Sequence, residues 1–124
     1  VIAIEESTAA IQDAQTNLAG LPNLDLRRGR VEDVLVSLSP APDVVILDPP
    51  RAGCHPRVLE TLNRLAPRRV VYISCEPAAM ARDLHRLVQG PFRIEEVQPI
   101  DLFPQTHHIE CIAFLSKHRG GAGL

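Results

Sequence analysis

What this sequence lacks narrows the field first. No apolar run approaches the ~18 residues that a membrane-spanning helix needs. The opening Val1-Ile2-Ala3-Ile4 is too short for a secretory leader and carries no basic flank. The cysteines form no disulfide framework: Cys54, Cys75 and Cys111 are odd in number with no short-range pairing, which points to a reducing, cytoplasmic setting. With a net charge of −2, the totals carry no electrostatic footprint for nucleic acid. Arg27, Arg28 and Arg30, and again Arg64, Arg68 and Arg69, cluster locally, and each group reads as a solvated face or as a local basic one. Cys54, His55, Cys75, His107, His108 and Cys111 match no ligand spacing, so no metal is expected. An initiator Met is also missing from the apolar start, which gives the expectation of a piece of a longer protein.

What is present is an alternation of short apolar runs with helix-period segments, on a length that suits one core. Residues 1–4 read as a strand. Ser7 is a good N-cap for a helix carrying Ala10, Ile11, Ala14 and Leu18, with Gly20 as its stop. Residues 24–26 suggest a short strand and 31–38 a weaker helix. Residues 44–47 are continuous and β-branched, as a strand buried on both faces should be, and they stop at Asp48-Pro49-Pro50. Pro56 marks a helix start and Pro67 its end; 70–73 is the next buried strand, and Pro77 opens a helix running to Gly90-Pro91. Strands follow near 92–100 and 108–115, and the glycine-rich tail, 119–124, reads as disordered.

This order predicts an α/β fold with a mostly parallel sheet and helices on both faces. Ligands in such sheets bind outside the carboxyl ends of the strands. Glu5, Asp48 and Cys75 each fall at or just past a strand end, which predicts a polar rim. Glu5 there reads as an acceptor for ribose hydroxyls or as a charge at a helix N-terminus. Asp48 precedes two prolines; the turn either aims it at a ligand or pairs it with Arg51. Cys75, before the helix that Pro77 starts, is a nucleophile favoured by the helix dipole or a small buried thiol. Glu76 beside it opposes ionisation, and Glu is not a favoured N-cap. Glu110, at the start of the last strand, reads as a general base or as a solvated carboxylate.

Three blocks resemble the RNA (uracil-5-)-methyltransferase family that acts on ribosomal and transfer RNA. Asp48-Pro49-Pro50-Arg51-Ala52-Gly53 resembles its Asp-Pro-Pro-Arg block. Val71-Tyr72-Ile73-Ser74-Cys75-Glu76-Pro77-Ala78-Ala79, with Ala81-Arg82-Asp83-Leu84, resembles its nucleophile block. Asp101-Leu102-Phe103-Pro104-Gln105-Thr106-His107-His108-Ile109-Glu110 resembles its C-terminal block. Order and spacing agree, and residues 1–5 with Ala10, Asp13, Ala14 and Asn17 are also similar. The resemblance implies a Rossmann-like class I sheet dependent on S-adenosylmethionine, occupying residues 1–118, and methylation of carbon 5 of a uridine through a covalent cysteine adduct. It implies Cys75 as nucleophile, Glu110 as general base, and Glu5 and Asp48 as cofactor contacts.

The chain departs from the pattern where Glu76 stands for the usual Asn, Ala79 for Thr, and Arg30 for a short acidic or amide residue near the cofactor adenine. No glycine-containing cofactor loop or first strand precedes Glu5. In the family's sheet that strand is central. The expectation is that the fragment has exposed sheet edges, self-associates through them, binds cofactor weakly and is inactive alone. Two other functions compete: an amino-group methyltransferase with an Asp-Pro-Pro loop, in which Arg51 would replace the usual stacking aromatic, and a catalytically degenerate RNA-binding scaffold.

Overall fold

Strand β1 (Ile2–Glu5), helix α1 (Thr8–Asn17) and strand β2 (Asp25–Arg28) follow one another, with the two strands parallel and Glu5 opposite Arg28. The computed structural model describes residues 1–102 and 104–120, in two units, Val1–Leu38 and Ser39–Leu124. Ser7 caps α1, its Oγ accepting from the Ala10 N–H at 3.3 Å, which satisfies an amide that the helix start leaves unpaired. The helix expected over 31–38 is shorter. Helix α2 (Val31–Val34) passes into a 3-10 turn at Leu35–Ser37. Three residues of this stretch, Val31, Val34 and Val36, are valines, which lose side-chain freedom in a helix, and the Ser37 hydroxyl donates back to the Val34 carbonyl at 2.9 Å. Ile11, Leu35 and Leu38 are the buried apolar residues of this unit.

The second unit contains strand β3 (Val44–Leu47), helix α3 (Pro56–Leu65), strand β4 (Arg69–Ser74), helix α4 (Pro77–Val88), strand β5 (Phe92–Ile100) and strand β6 (Glu110–Lys117). The strands lie in the order β3-β4-β6-β5. β3 and β4 are parallel, whereas β6 is antiparallel to both neighbours. The sheet is therefore mixed rather than mostly parallel. Its reason is the link at 101–109: a parallel crossover needs about a dozen residues or more, and this one is too short.

Both helices of this unit begin on a proline, whose missing N–H costs nothing at that position. α3 ends as Ala66 turns left-handed at φ 48°, its N–H bonded to the Leu62 carbonyl at 2.8 Å, and the buried Pro67 follows. Leu59 and Leu62 of α3 and Met80, Leu84 and Leu87 of α4 are buried, as are Val70, Tyr72, Ala113 and Leu115 on alternate positions of β4 and β6. The other face of the sheet is open, with Ile46 68 % and Phe114 39 % exposed. This corrects two expectations. Helices cover one face of this sheet rather than both, and residues 44–47 are not buried on both faces. Val44 and Ile46 point from this open face to solvent, and β3 is also an edge strand, paired in its sheet with β4 alone.

Among the described residues no helix is long and apolar enough to cross a membrane. The last four residues of the glycine-rich tail, and Phe103 of the C-terminal block, lie outside the described residues.

Candidate active site

The antiparallel register of β4 and β6 sets Ser74 opposite Cys111. One step further along each strand brings Cys75, at the carboxyl end of β4, to Glu110, the first residue of β6. Both line an open cavity of about 340 Å³ together with Arg51, His108 and Ile109. Cys75 is a free, exposed thiol rather than a small buried one. The sequence reading put Glu110, as a candidate base, near the same rim as Cys75; the insertion of β6 beside β4 is what joins them.

Ser74 shapes the turn that presents the thiol. Its Oγ accepts from the Glu76 N–H and donates to the Glu76 carbonyl, each at 2.9 Å. Glu76 then caps α4 after all, its carboxylate accepting from the Ala78 N–H at 3.4 Å while its other oxygen lies 3.6 Å from Arg51 Nη2. The negative charge beside the thiol is thus partly answered by a guanidinium and a helix N-terminus. This also decides the partner of Arg51, which is Glu76 and not Asp48.

Asp48 is exposed at the carboxyl end of β3 and lies outside the cavity lining. Glu5 is exposed at the end of β1, in the other unit, where one carboxylate oxygen accepts from the Ser7 N–H at 2.8 Å. Both carboxylates stand where parallel strands present their carboxyl ends, the position at which α/β sheets take ligands. Arg30 forms an exposed ion pair with Glu6 at 3.6 Å. The His107 and His108 rings lie 4.2 Å apart, and among the described residues no three His, Cys, Asp or Glu side chains gather as a metal-ligand set.

A buried carboxylate on α4 escaped the sequence reading. Asp83 is 1 % exposed and sits on the apolar face of α4, three residues after Met80 and four before Leu87. A charged residue at a core position of a helix was the available signal. Its Oδ2 accepts from the Cys54 N–H at 2.7 Å and from the Tyr72 hydroxyl at 2.6 Å. Burial, and then the nearby Asp83 charge, push the Cys54 thiol up to about 12, so Cys54 is a protonated packing residue. Burial also raises Tyr72, as does its hydrogen bond to Asp83, which keeps the hydroxyl a donor.

The tRNA (Uracil-5-)-methyltransferase family model matches residues 2–118. An RNA methyltransferase of Gloeobacter violaceus, itself uncharacterized, is 46% identical over 119 residues, which cover 94% of this chain and 26% of that protein. One from Porphyromonas gingivalis is 44% identical over 125 residues, 95% of this chain and 27% of the relative. The chain thus spans about a quarter of the length of such relatives. Among solved structures, the Pyrococcus abyssi tRNA (uracil-54, C5)-methyltransferase, in complex with S-adenosyl-L-homocysteine, is similar with a TM-score of 0.79 and 36% identity, covering 93% of this chain and 28% of that one. The N-methyltransferase NodS of Bradyrhizobium japonicum shares the fold alone, at TM-score 0.69 and 14% identity, over 95% of this chain and 66% of its own. The architecture is the Rossmann-like α/β fold of class I methyltransferases.

Proposed function

This chain belongs to the tRNA (uracil-5-)-methyltransferase family, and from that premise we propose that it supplies the catalytic residues of an enzyme that methylates carbon 5 of a uridine in ribosomal or transfer RNA. The observation that carries the reading is the pairing of an exposed Cys75 with Glu110 on one cavity. The cofactor is S-adenosylmethionine. Glu5 and Asp48 fit as its contacts, since exposed carboxylates at the carboxyl ends of parallel strands accept hydrogen bonds from ribose hydroxyls and attract a cationic ligand. When bound, S-adenosylmethionine supplies an electrophilic methyl group on sulfonium.

Carbon 5 of uracil is a weak nucleophile. Cys75 overcomes this by adding its thiolate to carbon 6, which moves electron density to carbon 5 as an enolate. Carbon 5 takes the methyl group, and the adduct then holds both a methyl and a proton at that carbon. Glu110 removes the proton; the electron pair returns to the ring, the carbon 6–sulfur bond breaks, and the Cys75 thiolate leaves. One cysteine and one base suffice, provided they face the same ring. A uridine in folded RNA must be unstacked to reach them.

The test is trapping on RNA containing 5-fluorouridine, in a protein carrying this segment at the full length of its relatives. Fluorine at carbon 5 cannot leave as a proton does, so the adduct persists. A covalent complex that is lost in Cys75→Ala supports the reading. Methylation with no adduct supports an amino-group methyltransferase instead, and RNA binding with neither supports a scaffold.

A further inference from the structure

We infer that Asp83 is a positioning residue for this site: it locks the turn after Arg51 to the strand and helix that flank Cys75, so that both residues stay at one cavity. The inference rests on the reading of Cys75 as the nucleophile.

A buried carboxylate is costly unless every oxygen is answered. Asp83 is answered on both. Oδ2 takes the backbone N–H of Cys54 and the Tyr72 hydroxyl, and Oδ1 takes Nε and Nη2 of Arg82, each at 3.2 Å. Arg82 Nη2 continues to the carbonyl of Ala52 at 2.5 Å. The turn is therefore held twice, at the Ala52 carbonyl through Arg82 and at the Cys54 amide directly. Between these two ties is Gly53, with φ +86°, where a Cβ would come within 2.5 Å of Arg82 Nη2 and 2.6 Å of Asp83 Oδ2. The backbone approaches this closely only because no side chain intervenes.

The same carboxylate reaches β4 through Tyr72, three residues before Cys75, and α4 through its own backbone, two turns beyond Glu76. The far side of the turn carries Arg51, which faces Glu76 across 3.6 Å and lines the cavity with Cys75. Asp83 thus joins the loop, strand and helix that deliver these two residues, without lining the cavity itself.

The Asp83→Asn variant keeps the shape and loses one acceptor oxygen, so the Cys54 amide and Arg82 cannot both be satisfied. In a protein carrying this segment at the full length of its relatives, the rate of trapping on 5-fluorouridine RNA should fall at least ~10-fold with RNA affinity unchanged. Leu62→Ala, in the fully buried core of α3, is the control for stability loss alone and should leave the trapping rate unchanged. Alkylation of Cys54 by iodoacetamide should quicken in Asp83→Asn and not in Leu62→Ala. Trapping at the wild-type rate in Asp83→Asn, or equal slowing in Leu62→Ala, overturns the inference. If the wild-type protein does not trap, the reading of Cys75 has failed instead, and the clamp is judged on alkylation: unchanged Cys54 reactivity in Asp83→Asn overturns it.

Discussion

Cys75 meets Glu110 because β6 runs antiparallel to β4, with Ser74 facing Cys111 one step inside the sheet. The two residues arrive from opposite chain directions, so their proximity belongs to the strand pairing and not to either local segment. Their division of labour makes different failures. Cys75→Ala should remove the adduct altogether. Glu110→Gln should permit addition and methylation but stall release, so a methylated covalent complex accumulates on ordinary uridine RNA while turnover falls by about 10²-fold or more. Denaturing gels with a labelled methyl donor separate the two outcomes. Slow turnover of Glu110→Gln with no accumulated complex would remove Glu110 from the base role.

The two thiols near the site should differ in reactivity. Cys75 is exposed, whereas burial holds Cys54 near 12. Iodoacetamide at neutral pH should modify Cys75 well before Cys54, and peptide mass spectrometry reads the order.

Cys54 also sets an alkaline limit on stability. Its ordinary value is 9.0 and the folded value is raised. Below pH 9.0 the thiol is protonated in both states and its contribution is fully present. Between 9.0 and about 12 the unfolded chain has released the proton that the folded chain keeps, so stability falls as pH rises. Tyr72, raised from 10.0, adds a loss of the same sign at higher pH. Urea midpoints across this window should decline less steeply in Cys54→Ala.

Gly53→Ala should cost about 1–3 kcal/mol, the scale of a residue forced into left-handed backbone, with the clash against Arg82 and Asp83 added. Urea unfolding measures it. An unchanged midpoint would show that the turn relaxes freely.

The isolated 124-residue chain should self-associate and show no methyl transfer. β3 is an edge strand in its sheet, and Ile46 is 68 % exposed on an open face. Light scattering at rising concentration should report species larger than the monomer, reduced in Ile46→Lys. Methylation of uridine-containing RNA by the monomeric chain would contradict this.

Much of the local structure was legible. Ser7, Pro56 and Pro77 mark helix starts because capping and ring geometry act within a few residues. The strand at 44–47 was legible as a strand but not as an edge, since an apolar run looks the same whether or not a neighbour covers it. The direction of β6 and the Cys75–Glu110 meeting depend on pairing across some forty residues, which no local pattern encodes. The roles of Cys75, Glu110, Glu5 and Asp48 came from motif resemblance, and geometry brought only the first two to one cavity. Glu76 was misread as a poor cap because propensity cannot see Arg51 waiting at its other oxygen.

The most direct measurement is peptide mapping of the trapped complex. After nuclease and protease digestion of protein reacted with 5-fluorouridine RNA and S-adenosylmethionine, a methylated fluorouracil nucleotide should be found on the peptide containing Cys75. Its attachment to Cys54 or Cys111, or methylated RNA with every cysteine unmodified, would contradict the account.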